Sequence, residues 1–196
     1  MPQPIALPAP ILIHMANVLN VPMRGLASTI ELFDEGGTVP FIARYRKEAT
    51  GNLDEVQIRS IEEKLAYFRD LEQRRAAILS SIDEQGKLTP ELRARIEATF
   101  EKSELEDLYL PYKPKRRTKA TIAREKGLEP LALYLWNQTP AKLPLDAFAA
   151  TFINEEKGVA TAADALEGAR HIIAEMISET ADFRKALRAM MLDEGV

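Results

Sequence analysis

Residues 54–84 read DEVQIRSIEEKLAYFRDLEQRRAAILSSIDE, and this stretch decides the fold class. Ile58, Ile61, Leu65 and Phe68 recur at spacings of three and four, and Leu71, Ile78 and Ile82 extend the series. An α-helix turns once in about 3.6 residues, so this spacing lines the apolar side chains along one face. Asp54 supplies a side-chain oxygen for the first free amides, and Gly86 provides the left-handed exit. The pattern predicts one long helix from about Asp54 to Glu84. An apolar stripe of that length must be buried against other helices.

Similar punctuation surrounds it. Ile11 to Leu19 reads as a short helix with Leu12, Met15, Val18 and Leu19 near one face. Pro22 suits the first turn of a second helix, with Leu26, Ile30 and Phe33 as its stripe and Gly36-Gly37 as its stop. Thr38 to Lys47 predicts a short helix starting near Pro40, followed by a turn at Thr50-Gly51-Asn52. Beyond Gly86, Thr89-Pro90-Glu91 opens a helix containing Leu92, Ile96 and Phe100. Ser103 and Glu106 form a capping-box pattern. Pro111 and Pro114 forbid regular structure from Leu110 to Thr118. Further helices are expected from about Thr121 to Gly127, from Pro130, over Leu145 to Ile153, after Thr161, and over Asp182 to Leu192. No run of alternating β-branched residues and no Asn-Gly or Asp-Gly turn is present. About ten short-linked helices make an irregular all-α fold with one long central helix.

The chain has 196 residues, 46% apolar and 29% charged, with a net charge of −4. That is enough for one large domain or two small ones. The organisation expected is a Pro-rich leader over 1–10 and a helical region over 11–196. That region can divide into packed subdomains of about 11–110 and 120–196. There is no cysteine, so no disulfide or thiolate metal site can form. Nothing reads as a signal peptide or a membrane span, and a cytoplasmic location is expected. The helix ending almost at Val196 reads as a chain cut from something longer.

Catalytic patterns are absent: there is no GxxxxGK[ST], GxGxxG or HExxH. His14 and His171 lie far apart, each in an apolar helical segment, where a packed role outweighs a ligand role. Glu104, Glu106 and Asp107 read as charge near a helix N-terminus before they read as metal ligands. No enzyme activity, cofactor or metal is expected.

The charge is unevenly distributed. Residues 112–126, YKPKRRTKATIAREK, hold seven Lys or Arg and one acid, +6 in a chain whose remainder carries −10. Lys113, Lys115, Arg116, Arg117 and Lys119 follow Tyr109 and Tyr112 directly. Cations there neutralise phosphates, and tyrosine rings stack on unpaired bases. The alternative makes Leu108, Tyr109 and Leu110 core anchors and pairs the cations with acids of neighbouring helices. A second cluster is Arg44, Arg46 and Lys47 in TVPFIARYRKEATG. Here Phe41, Ile42 and Tyr45 read as core, and Glu31, Asp34 or Glu35 as partners of the arginines.

Four segments resemble the bacterial Tex family of transcription accessory proteins. They are LFDEGGTVPFIARYRKEATGNLDEVQI at 32–58, EQGKLTPEL at 84–92, LEDLYLPYKPKRRTKATIAREKGLEPLA at 105–132 and ALEGARHIIAE at 165–175. The similarity runs from about Ile11 to the end. Minor departures are the Pro-rich leader, Gly37 and Ala49. The resemblance implies the N-terminal helical region of a several-fold longer protein. In that family, nuclease-like, helix-hairpin-helix and OB-fold RNA-binding parts follow, and none is expected here. It further implies nucleic-acid binding, chiefly RNA through the OB-fold, and a link to transcription and virulence-factor expression. The family shares its architecture with a eukaryotic elongation factor of the Spt group. The expected role is sequence-independent nucleic-acid binding through Lys113, Lys115, Arg116, Arg117, Lys119 and Tyr112, with Arg44 and Arg46. The other reading is a scaffold that positions downstream domains or docks on the transcription machinery. Neither involves a membrane.

Overall fold

A computed structural model describes residues 5–114, 117–138 and 143–195. The chain separates into two units, residues 1–105 and 106–196. Among the described residues there are α-helices and 3₁₀ turns but no β-strand, only an isolated bridge between Asn154 and Val159. The all-α expectation holds. Among these residues no helix is long and apolar enough to cross a membrane.

The first unit is organised by its longest helix. Its helices are α1 (Ala9–Leu19), α2 (Met23–Asp34), α3 (Val39–Tyr45), α4 (Lys47–Thr50), α5 (Glu55–Glu84) and α6 (Pro90–Ala98), and α7 (Lys102–Tyr109) begins in it. The Asp54 carboxylate accepts from the Gln57 amide at 2.8 Å, and the Gln57 side chain accepts from the Asp54 amide at 3.1 Å. This reciprocal pair starts α5 where the sequence placed its cap. Every member of the expected stripe, from Ile58 to Ile82, is buried. Helices α1, α2, α3 and α6 pack on α5.

Several local expectations shift. In α1 the buried residues are Ile11, Met15 and Ala16, whereas Val18 is exposed. In α2 they are Gly25, Leu26 and Thr29, and the Thr29 hydroxyl donates to the Gly25 carbonyl at 2.7 Å. Phe100 lies beyond the end of α6, because Thr99 is extended. Its ring stacks on His14 at 4.2 Å between centroids. Ser103 is inside α7, which starts at Lys102, so it is not a cap. The backbone approaches closely at one glycine. A Cβ on Gly25 would stand 2.6 Å from the Thr50 carbonyl oxygen. Gly25→Ala gains about 1 kcal/mol of helix propensity but loses about 1–3 kcal/mol to overpacking against backbone. We expect net destabilisation, measured as a lower thermal midpoint; an unchanged or higher midpoint would show that α4 yields freely.

The second unit is built around α11 (Ala162–Glu179), with α8 (Lys119–Glu125), α9 (Glu129–Trp136), α10 (Leu145–Ala150) and α12 (Ala181–Glu194) beside it. The start of α11 repeats the device seen at α5. Thr161 accepts from the Asp164 amide at 3.1 Å, and Asp164 accepts from the Thr161 amide at 2.9 Å. Ala165, Ala169 and Ile172 carry its buried face onto Ala123, Leu128, Leu131 and Ala149. Helix α8 starts at Lys119, two residues before the expected position, because Thr118 is its cap.

Candidate nucleic-acid interface

The basic segment belongs to the second unit and is partly engaged internally. The Thr118 hydroxyl oxygen accepts from the Thr121 amide at 3.0 Å, and the hydroxyl donates to Glu175 at 3.0 Å. Arg124 also pairs with Glu175, and with Glu129 at 3.3 Å. The Glu175 hydrogen bond outweighs burial and raises the Arg124 pKa above its ordinary value. Lys126 donates to the Gly158 carbonyl at 2.7 Å. Arg117 meets Glu125 at 2.6 Å, although its side chain stays 67% exposed. Such an exposed pair is weak and exchanges readily with a phosphate. Lys113 and Lys119 are exposed and make no ion pair with a described residue. Lys115 and Arg116 lie outside the described residues. Tyr112 is half-buried, in the 3₁₀ turn Leu110–Tyr112. Tyr109 is 8% exposed, so it is a core anchor and its ring is closed to stacking.

Of the acids before this segment, Glu104 stands in the first turn of α7 as expected, whereas Asp107 does not. Glu104 accepts the Thr99 hydroxyl at 2.8 Å. Asp107 sits beyond the first turn of α7 and is 4% exposed. Its two carboxylate oxygens take Arg184 at 2.5 Å and Arg188 at 2.6 Å, fastening α12 within the second unit. Burial alone pushes the Asp107 carboxyl up, but the hydrogen bonds and charges of the two arginines bring it below the ordinary value. Among the described residues no group of three or more His, Asp or Glu is arranged to hold a metal. His171 faces Glu167 at 3.6 Å.

The smaller cluster, in the first unit, is open. Helix α3 buries Val39 and Ile42 and turns Phe41, Arg44 and Tyr45 outward. Phe41 is 44% exposed and Tyr45 66%, so the sequence reading of both as core is corrected. At about 100° per residue, positions 41, 44 and 45 fall within one sector of roughly 100°, opposite positions 39 and 42. The two rings lie 5.4 Å apart, tilted by 46°. The Arg46 guanidinium stands 5.8 Å from the Phe41 centroid, a cation–π distance.

Of the expected acidic partners, Asp34 is engaged elsewhere, and neither Glu31 nor Glu35 forms an ion pair with these arginines. Asp34 accepts two hydrogen bonds from Arg69, at 2.7 and 2.8 Å. Arg44, Arg46 and Lys47 are exposed and form no ion pair with any described residue. Arg46 and Phe41 border a cleft with Glu35 and Gly37, and Arg44 and Lys47 border another with Asp54 and Glu55. Asp54 is occupied as the α5 cap and Glu55 pairs with Arg59.

Fold and surface together define an all-helical module with one open face of mixed aromatic and cationic side chains. Residues 9–83 match the Tex-like protein N-terminal domain, and residues 139–196 match the Tex central region-like family. The transcriptional accessory protein Tex of Neisseria gonorrhoeae is 53% identical over 168 residues, covering 86% of this chain and 22% of that protein. Protein tex of Bordetella pertussis is 50% identical over 188 residues, covering 96% and 24%. A human S1 RNA-binding domain-containing protein 1 is 36% identical over 159 residues, covering 80% and 15%. The chain therefore belongs to the Tex family, and it spans less than a quarter of the length of these three relatives.

Proposed function

We propose that the chain is a non-catalytic helical module of a cytoplasmic transcription accessory protein, and that it binds nucleic acid without sequence specificity through exposed cations. The observation that carries this reading is the absence of a carboxylate partner, among the described residues, for Arg44, Arg46, Lys47, Lys113 and Lys119. Unpaired cations on the surface of a chain with net charge −4 are available to phosphates. Lys115, Arg116 and Arg117 extend the second group along the sequence. No base-edge code is legible in the sequence, so contacts to the sugar–phosphate backbone carry the reading. The name of the human relative refers to an S1 RNA-binding domain. In the longer protein the main grip on RNA falls to such a domain, and this module adds to it.

Salt titration of single-strand binding tests the proposal. Each cation released from a phosphate contact flattens the slope of log affinity against log salt by about 0.7. Replacing Arg44, Arg46 and Lys47 together with alanine flattens it by about 2, as does replacing Lys115, Arg116 and Arg117. If both triple variants keep the parent slope, the proposal fails. The internal pairs of Arg117 and Arg124 favour a second reading for the loop, a scaffold strut. In that case only the first triple variant changes the slope.

A further inference from the structure

We infer that the Phe41–Tyr45 face of α3 is a stacking platform that selects single-stranded over double-stranded nucleic acid. The inference rests on the charge-driven binding proposed above and adds a preference that charge alone does not supply. Exposed phenylalanine and tyrosine side chains are poor in water and gain by being covered. These two stand one helical turn apart on the same face, and Tyr45 is 66% exposed with the Phe41 ring beside it. A purely apolar partner would leave Arg44, Arg46 and Lys47 unpaired at the edge of the contact, at a desolvation cost. A polyanion that also carries flat aromatic groups satisfies both parts of the face. Single-stranded nucleic acid is that chemistry: its bases are unpaired and free to lie on a ring, and its phosphates follow at every nucleotide. In a duplex the bases already stack on one another, so only its phosphates are offered to this face.

The geometry gives the parts distinct roles. Tyr45, the more open ring, takes a base. Phe41, partly covered by the Arg46 guanidinium, supports Tyr45 from the side. Arg44 and Lys47, along the neighbouring cleft, take the phosphates.

The test uses the whole chain, a short labelled oligouridylate, the matching oligothymidylate and a blunt DNA duplex of equal length. Tyr45→Ala is expected to weaken binding to both single strands at least about fivefold, the low end for a base–aromatic stack, and to leave duplex binding unchanged. Tyr45→Trp restores single-strand affinity. Circular dichroism confirms that each variant is folded; Tyr45 is 66% exposed, so no core contact is lost. Parent-like single-strand binding by Tyr45→Ala and Phe41→Ala overturns the inference, and equal losses on duplex and single strands do so too. If the Arg44/Arg46/Lys47 variant weakens binding to all three probes while the ring variants do not, the charge reading stands alone. If no probe binds the parent chain, both readings fail and an acidic protein surface becomes the occupant this face fits.

Discussion

Arg75→Ala lowers the stability of the first unit by about 3–5 kcal/mol, the cost of breaking a buried charged pair from one side. Arg75 lies in the middle of α5 and is only 5% exposed. Its guanidinium donates to the Ile96 carbonyl at 3.1 Å, to the Thr99 carbonyl and to the Glu72 carboxylate. The two carbonyls lie at the end of α6, where the helix has no further amides to offer them. Burial lowers the Arg75 pKa below its ordinary value, partly offset by Glu97, yet an arginine stays charged throughout the working range. Alanine would leave Glu72 and both carbonyls without this donor, and it would open a void beside Ile96. Urea denaturation reads the loss. Arg75→Lys should recover part of it, because an ammonium keeps the charge but lacks the forked donors. A midpoint unchanged in Arg75→Ala would show that water replaces the guanidinium without penalty.

The second large effect is expected at Asp107. Asp107→Ala removes two charge-assisted hydrogen bonds to α12, each worth about 1.5–3 kcal/mol before solvation is considered. Arg184 and Arg188 have side chains 41% and 37% exposed, so both recover hydration when released. The net loss is therefore set nearer 2–3 kcal/mol, at about one bond's worth. No residue of α12 is itself buried, so its docking leans on this bridge and on α11. The same bridge gives a pH signature. The folded Asp107 pKa lies below its unfolded value, so its stabilisation is complete above the unfolded value and is lost as pH falls through the folded one. The unfolded value is about 3.9, which places the loss below roughly pH 4. Amide exchange in α12 should accelerate there in the parent protein. In Asp107→Asn it should already be fast at neutral pH. Equal protection of α12 in parent and variant would remove Asp107 as its anchor.

Much of the architecture was legible because it is written in local chemistry. Asp54 with Gln57, Thr89 ahead of Pro90, and Thr161 with Asp164 each act within four residues, and each cap stands where the residues placed it. The stripe of α5 was equally plain, and it held one further clue. The apolar series jumps from Leu71 to Ile78, and Arg75 occupies the vacant helical position between them. A charged residue in phase with a buried stripe signals a buried, fully bonded charge. What could not be read was set by distant partners. Asp107 meets arginines 77 and 81 residues away, which no window reveals. Asp34, one of three acids that proximity in sequence offers to the arginines of α3, instead binds Arg69. Phe41 and Tyr45 read as core in the sequence, yet both are exposed. Seven residues of α3 are too few for periodicity to separate its two faces.

Helices α3 and α4 are separated by a break at Arg46. Arg46 has φ −125° and ψ 23°, outside the helical region, so the helix stops at Tyr45 and restarts at Lys47. Had it run on unbroken, position 46 would have rotated to roughly 140° from Phe41, between Ile42 and Val39 and into the apolar interior. One non-helical residue thus turns what would be a misplaced charge into an accessible one. A substitution that smoothed this joint would quench the face without deleting a single cation.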